Sequence, residues 1–196
     1  MKELLISGLE AFVPFCEQES RDRDHLLCLL RSGMELFSRE NLTCHMTASA
    51  WTVNESMDRV LMAYHNIYRS FSWLGGHADG DEDLLRVALR EVKEESGIKK
   101  VFPLKKDIFS VEILTVDGHE KRGIYVPSHL HLNVTYLICA DEKEPLRVKE
   151  DENSALRWFS PEGAVESSTE AWFRERIYKK LNQKLAAFRE EQKKSM

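Results

Sequence analysis

Residues 76–98 of this 196-residue chain read GHADGDEDLLRVALREVKEESGI. At about 100° per residue, the apolar side chains of this segment fall within one arc of a helix. They are Leu84, Leu85, Ala88, Leu89 and Val92. Gly97 stands where a residue with positive φ commonly ends a helix. The pattern predicts a helix over about residues 81–96 that buries one face in a core.

Three carboxylates lie beside that apolar arc, on Glu91, Glu94 and Glu95. Like charges three or four residues apart each destabilise a helix by about 0.2–0.5 kcal/mol. The helix dipole disfavours each anion near its C-terminal end by about 0.3–1 kcal/mol. Arg90 can pair with one carboxylate, but a divalent cation can neutralise all three, and hard oxygen ligands favour Mg²⁺ or Mn²⁺ over Zn²⁺. A solvated acidic helix face is the alternative that these residues alone leave open.

The spacing of residue types over the whole of residues 76–98 is a more specific signal of function than the acidic cluster alone. A glycine is followed after five residues by a glutamate and after seven more by Arg-Glu-aliphatic-x-Glu-Glu-x-Gly-aliphatic. This pattern resembles the Nudix box of the Nudix hydrolase superfamily. Seven fixed and two aliphatic residue types would coincide by chance with a probability of roughly 10⁻¹⁰ to 10⁻⁹ per starting position. The resemblance implies an α/β fold in which a mixed β-sheet is sandwiched between helices.

The resemblance also implies a reaction and roles for particular residues. It implies a divalent-metal-dependent pyrophosphohydrolase that cleaves a phosphoanhydride in a nucleoside diphosphate linked to another moiety, with Mg²⁺ or Mn²⁺ as cofactor. The ions would be bound by the Gly76 carbonyl and by Glu91, Glu94 and Glu95. Arg90 would orient the carboxylates, while Glu82 and Gly97 would have supporting roles. Outside the box, Glu152 would act as a metal ligand or general base, with Glu150 and Asp151 as neighbouring alternatives.

Residues 130–140 alternate between apolar and polar types, which predicts a strand with one buried and one polar face. Its polar face carries His131, Asn133 and Thr135, and His77 follows the first glycine of the box. We predict that His77, His131 and Asn133 contact substrate, while histidines satisfied by local contacts are the alternative. His129 and His131 alone do not predict a zinc site, because no cysteine or third histidine has a suitable spacing.

The composition limits the partners. Lys and Arg number 28 against 33 Asp and Glu, so the formal net charge is 28 − 33 = −5. General attraction to a polyanion is therefore not expected, and a small nucleotide-type substrate is favoured over nucleic acid. No apolar run approaches the ~18–20 residues of a membrane span, and Met1-Lys2-Glu3 does not resemble the start of a signal peptide. We therefore expect a cytoplasmic protein that does not contact a membrane.

The remaining patterns predict how the chain is organised. Helical stripes over residues 2–37, a hairpin over 43–53 and 59–65, strands near 108–114 and 155–159, and a long C-terminal helix follow in order. We predict an N-terminal helical extension at residues 1–42 and a Nudix hydrolase domain at residues 43–196. We predict that the additional helices pack on the sheet or form a homodimer interface, and simple capping of the core is the alternative. The alternative function is a non-catalytic Nudix-fold nucleotide sensor, which the intact set of Arg90 and three glutamates disfavours.

Overall fold

The computed structural model describes residues 1–121, 123–148 and 153–194. The chain falls into two compact units, each assembled from several segments. Unit 1 comprises Met1–Ser49, Gly75–Ala88 and Lys105–Tyr136. Unit 2 comprises Ala50–Leu74, Leu89–Leu104 and Leu137–Met196.

The described residues contain the predicted helices and strands in the predicted order, together with short strands at residues 70–72, 74–77, 101–103, 119–121 and 124–126 that the sequence did not predict. The helical pattern predicted over residues 2–37 ends earlier than expected, at Arg31. The helices are α1 (Lys2–Ala11), α2 (Glu17–Arg31), α3 (Leu84–Ser96), α4 (Pro161–Ser167) and α5 (Lys179–Lys194), the last preceded by a π-helical segment at Phe173–Tyr178. The strands are β1 (Cys44–Val53), β2 (Val60–His65), β3 (Ser70–Ser72), β4 (Leu74–His77), β5 (Val101–Pro103), β6 (Ser110–Val116), β7 (His119–Lys121), β8 (Ile124–Val126), β9 (His129–Ala140) and β10 (Asn153–Phe159).

The main sheet is mixed and curled, with its strands in the order β10-β2-β1-β9-β5. β3 pairs with β2, β4 with β1, and β6 with β9, whereas β7 and β8 form a separate hairpin. The helices include the expected N-terminal helices and a long C-terminal helix. The α/β fold class expected from the sequence is therefore confirmed.

Unit 1 is organised around the antiparallel pair of β6 and β9, in register from Ser110 opposite Thr135 to Val116 opposite His129. The backbone N–H of Ile113 in β6 donates to the Asp22 carboxylate of α2 at 3.0 Å. The side-chain amide of Gln18 donates to the Val111 carbonyl at 3.1 Å. The N-terminal helix α2 thus covers β6 through hydrogen bonds to its backbone, and the Leu26 and Leu30 side chains of α2 are buried.

Unit 2 contains the turn between β1 and β2 and the pairing of β2 with β10. Asn54 Oδ1 accepts the backbone N–H groups of Asp58 and Arg59, each at 3.0 Å, which closes the turn predicted at this position. β10 runs antiparallel to β2, with Phe159 opposite Val60. At the core, the rings of Trp51 and Tyr178 stack with their centroids 5.5 Å apart, and both side chains are fully buried.

Helix α3 begins three residues later than the sequence predicts. Asp83 Oδ1 accepts the backbone N–H of Arg86, so Asp83 caps the first turn instead of continuing a helix from Asp81. The end of the helix is as predicted, because α3 stops at Ser96 and Gly97 adopts a φ of +75°. No helix among the described residues is both long and apolar enough to cross a membrane.

Candidate functional site

The C-terminal half of α3 carries an arginine and three glutamates on adjacent turns. Arg90 Nη2 lies 3.1 Å from Glu91 Oε1, and Arg90 Nε lies 3.9 Å from Glu94 Oε1. One guanidinium therefore contacts two of the carboxylates that the sequence predicts as metal ligands. This contact holds both carboxylates toward the same side of the helix.

The three carboxylates differ in exposure. The Glu91 side chain is 13% exposed and that of Glu94 is 47% exposed. Glu95 is buried, with a relative exposure of 7%. The side-chain amide of Asn153, the first residue of β10, donates to Glu95 Oε1 at 3.2 Å. Of the three carboxylates, that of Glu94 is therefore the most exposed to solvent and that of Glu95 is the most buried.

The last turn of α3 is held in place by hydrogen bonds, one of which comes from the segment around Arg147. The Arg147 backbone N–H donates to the Ser96 carbonyl at 2.8 Å. The Gly97 N–H donates to the Lys93 carbonyl at 2.9 Å. A Cβ on Gly97 would lie 2.8 Å from Arg147 Cβ, so this position accepts only glycine without displacement. Gly97 therefore ends α3 at a position that requires glycine, while the supporting role at the site that the resemblance implies for it stays a prediction.

The donor set on α3 suits a hard divalent cation. Mg²⁺ and Mn²⁺ prefer carboxylate oxygens, and clustered carboxylates of one helix supply them without thiolate or imidazole groups. Burial of Glu91 and Glu95 also disfavours full hydration of their charges, which a bound cation would offset. The residues present therefore fit the predicted metal.

Glu82 contacts the start of the chain. Its Oε2 atom accepts the backbone N–H of Lys2 at 2.8 Å and lies 3.3 Å from the N-terminal ammonium of Met1. The hydrogen bond from Lys2 is the main reason that the pKa of Glu82 is lowered. Glu82 thus anchors α1 to the segment before α3, a contact that the sequence did not predict.

A second group of chemically versatile side chains lies in unit 1, where four histidines from three strands lie close together. The ring centroid of His45 is 5.1 Å from that of His77, 4.8 Å from His129 and 5.1 Å from His131. His77 and His131 are 4.9 Å apart. One ligand atom each of His45, His77 and His131 can be chosen so that all three lie within 4.8 Å of one another. We call these four residues the histidine cluster.

Burial keeps two rings of the histidine cluster neutral. It lowers the pKa of His131 to about 2, with further lowering by the neighbouring histidines. Burial also lowers the pKa of His45, against the opposite effect of its hydrogen bond to the Asn41 carbonyl. A neutral imidazole is a metal ligand, whereas a protonated one is not.

The polar face of β9 is filled by other side chains of unit 1. Asn133 and Thr135 are fully buried. The Asn133 amide donates to Glu112 Oε2 at 2.9 Å, and its oxygen accepts from Thr47 and Ser49 at 3.0 and 2.9 Å. Glu112 is itself fully buried and accepts from Thr135 at 2.8 Å. This network fixes the β9 face on which His131 also lies.

The structure brings together some of the predicted site residues and leaves others as predictions. It places Arg90 beside Glu91 and Glu94, and His77 beside His131. Gly76 lies half-buried in β4. Glu152, with Glu150 and Asp151, lies outside the described residues. The substrate contacts predicted for His77, His131 and Asn133, and the metal role of the Gly76 carbonyl, stay predictions.

Sequence reasoning missed the contributions of His45 and His77 to the histidine cluster. It looked for a third ligand at a short spacing from His129 and His131. In the sheet, β1 is hydrogen-bonded to both β4 and β9. Histidines that are far apart in the sequence therefore lie on neighbouring strands. The signal present in the sequence was that His45 and His131 lie near the starts of predicted strands and that His77 follows the first glycine of the box.

Comparison with known proteins agrees with this fold. The NUDIX domain family matches residues 44–181. The fold is similar to an Ap4A hydrolase from C. elegans, with a TM-score of 0.50 and 18% identity over 72% of this chain and 98% of that one. It is also similar to a NUDIX hydrolase from Nitrosomonas europaea, with a TM-score of 0.53 and 18% identity over 72% and 88% of the two chains.

A third structure with a similar fold is the dihydroneopterin triphosphate pyrophosphohydrolase of E. coli, with a TM-score of 0.51 and 14% identity over 74% of this chain and 96% of that one. None of the curated proteins matches the chain. Because the family match spans more than half of the chain, the chain belongs to the Nudix family of hydrolases.

Proposed function

We propose that this Nudix hydrolase cleaves a phosphoanhydride in a nucleoside diphosphate linked to another moiety, and that it requires Mg²⁺ or Mn²⁺. The observation that carries the proposal is the geometry of α3, in which one guanidinium contacts Glu91 and Glu94 while Glu95 is buried one turn away. The three structures compared above include two hydrolases whose names specify polyphosphate substrates. At 14–18% sequence identity, these structures support the fold of this chain, and the substrate is determined by the experiment below.

Charge explains why such a site needs a cation. A polyphosphate repels an anionic nucleophile, and three carboxylates on their own would repel the substrate as well. Bound Mg²⁺ would neutralise charge on the phosphate oxygens and orient water for attack. The role of α3 in this proposal is to present oxygen donors at fixed positions. The buried Glu95 and the shielded Glu91 hold their geometry, while the half-exposed Glu94 faces solvent.

Arg90 has a positioning role in this proposal. Its guanidinium contacts Glu91 and approaches Glu94, so it restrains two side chains that would otherwise repel each other. A pair of this kind, about one third exposed, adds little to stability. Its contribution is to limit the rotamers of the two carboxylates.

The experiment is release of phosphate or nucleoside monophosphate from a panel of nucleoside diphosphate conjugates and dinucleoside polyphosphates. We expect turnover with Mg²⁺, none in excess chelator, and recovery when Mg²⁺ or Mn²⁺ is restored. Glu94→Gln and Glu95→Gln should each lower kcat by at least about 100-fold, because each removes one anionic ligand. Glu142→Gln, at an exposed glutamate outside α3, is the matched control and should retain full turnover.

Two outcomes would overturn the proposal. Turnover that survives both Glu94→Gln and Glu95→Gln would show that α3 does not hold the catalytic ion. Binding of a nucleotide with Mg²⁺ present and no cleavage of any panel member would favour a nucleotide sensor instead. Calorimetry measures binding to each member of the panel. Binding without cleavage indicates a sensor, whereas no binding to any member indicates that the panel lacks the substrate.

The expectations of a cytoplasmic location, of no nucleic-acid partner and of a homodimer stay predictions. The homodimer is supported by exposed apolar side chains near the N-terminus, where Leu4 is 67% and Val13 is 83% exposed. Light scattering at several concentrations would test it, and a strict monomer at all concentrations would exclude the dimer.

A further inference from the structure

We propose that the histidine cluster is a second metal site, in which His45, His77 and His131 bind a transition-metal ion of the Zn²⁺ class. The site lies wholly within unit 1 and uses none of the glutamates of α3. Imidazole nitrogens suit Zn²⁺ and its neighbours in the first transition row, whereas Mg²⁺ prefers oxygen ligands. The proposal is therefore independent of the function proposed for α3 and of its metal.

His45 provides the first argument, because one of its ring nitrogens is buried and has no hydrogen-bond partner in the part of the chain that the structure describes. His45 is 4% exposed, and its Nδ1 lies 3.0 Å from the Asn41 carbonyl, to which it donates. In the neutral ring, Nε2 then carries a lone pair, and this atom is buried with no hydrogen-bond partner among the described residues. A buried polar atom without a partner is unfavourable, and a bound cation would provide one. The centroid of the His45 ring lies 5.1 Å from that of His77 and 5.1 Å from that of His131, and one ligand atom from each of the three residues lies within 4.8 Å of the others.

The hydrogen-bond chain through His129 provides the second argument. His129 Nδ1 lies 2.8 Å from the Pro127 carbonyl and donates to it, which leaves His129 Nε2 as an acceptor. His131 Nε2 lies 3.2 Å from that atom and is therefore the donor. Nδ1 of His131 consequently carries the lone pair. A metal-binding histidine commonly donates its other ring N–H to a neighbouring acceptor in this way, so His129 has the place of a positioning residue.

Distances and charge favour a cation over an anion. Ligand nitrogens about 2.0–2.1 Å from a tetrahedral Zn²⁺ lie about 3.3 Å apart, and the three chosen atoms lie within 4.8 Å of one another. Small side-chain rotations close that difference. An anion would instead need N–H groups directed at it, whereas the hydrogen bonds made by His45 Nδ1 and His131 Nε2 leave the other nitrogen of each neutral ring with a lone pair. Three imidazoles also leave a coordination position of the ion for water or a ligand oxygen.

The test uses the full chain, stripped of metal with a chelator and then titrated with Zn²⁺ by calorimetry. Metal content after gel filtration is measured by plasma mass spectrometry. We expect about one equivalent of Zn²⁺ that millimolar Mg²⁺ does not displace. His45→Asn retains a donor for the Asn41 carbonyl while removing Nε2, and it should weaken binding by at least about 100-fold, as should His77→Ala. His129→Asn should weaken binding by roughly 10–100-fold, the usual effect of losing an outer partner of a ligand.

Two controls make the result specific. His25→Ala removes an exposed histidine of α2 and should leave Zn²⁺ affinity unchanged. Glu94→Gln should also leave it unchanged, and circular dichroism and thermal melting verify that each variant is folded. His77 is only half-buried, so its variant tests the site even if His45→Asn does not fold. The proposal is overturned if no Zn²⁺ is retained, if folded His77→Ala binds as well as the wild type, or if only Glu94→Gln loses the ion.

Discussion

Asn153 donates a hydrogen bond from its side-chain amide to Glu95 Oε1 across 3.2 Å, and both side chains are buried. The bond joins the first residue of β10 to the last turn of α3, two segments that are 58 residues apart. Asn153 also follows Glu152 directly in the sequence. The contact therefore relates the carboxylate trio of α3 to the part of the chain in which the family resemblance expects a further acid.

Removal of this amide should weaken the metal site without removing a ligand. In Asn153→Leu, Glu95 loses the donor that orients Oε1, so we expect the Mg²⁺ concentration for half-maximal activity to rise roughly 10–100-fold. Activity titrated against Mg²⁺ measures this effect. Because the loss is one of positioning, saturating Mg²⁺ should restore much of kcat. A large fall in kcat with no change in Mg²⁺ dependence would contradict this role for Asn153.

Glu152 should act as the general base or as an additional ligand, in preference to its acidic neighbours. A base of this kind contributes about 10²–10⁴-fold in rate. We expect Glu152→Gln to lower kcat within that range, and Glu150→Gln and Asp151→Asn to change it by less than about 10-fold. Steady-state kinetics on the three variants, at saturating Mg²⁺, compares them directly. The assignment moves to a neighbour if its variant shows the largest loss.

The sequence predicted α3 and its carboxylates because both depend on local spacing. An apolar stripe at helical period and a glycine at the end specify the helix, and the structure differs only at its start, where Asp83 forms a cap. The box pattern also predicted the family. These features need no knowledge of which strands are neighbours.

The histidine cluster could not be predicted in the same way. His45 belongs to β1 and His131 to β9, and their proximity depends on strand order. Strand order follows from packing of the whole sheet, which local patterns leave undetermined. The same limit applies to Asn133, whose alternation with apolar neighbours predicted a polar face but not that Glu112, Thr47 and Ser49 would fill it.

The hydrogen bond between α2 and β6 should contribute measurably to stability. Asp22→Ala removes the acceptor of the Ile113 backbone N–H, and loss of a partner for a shielded polar group costs about 1–3 kcal/mol. At about 2–4 °C per kcal/mol for a chain of this length, Tm should fall by several degrees. Asp24→Ala is the matched control on the same helix, because Asp24 is 60% exposed and pairs only with Arg23 among its described contacts. Equal melting temperatures for the two variants would show that this bond does not hold α2 in place.

A comparison of alanine variants at Gly97 and Gly33 distinguishes the effect of steric overlap from that of backbone strain. Both have positive φ, +75° and +80°, so an alanine at either position adopts a left-handed conformation that costs about 1–2 kcal/mol. A Cβ at Gly33 would have no atom within 4 Å, whereas at Gly97 it would lie 2.8 Å from Arg147 Cβ. Gly97→Ala should therefore lower the free energy of unfolding by more than Gly33→Ala, by about 1–3 kcal/mol for the additional overlap. Urea denaturation of both variants gives the difference, and equal losses would mean that the segment around Arg147 moves aside without cost.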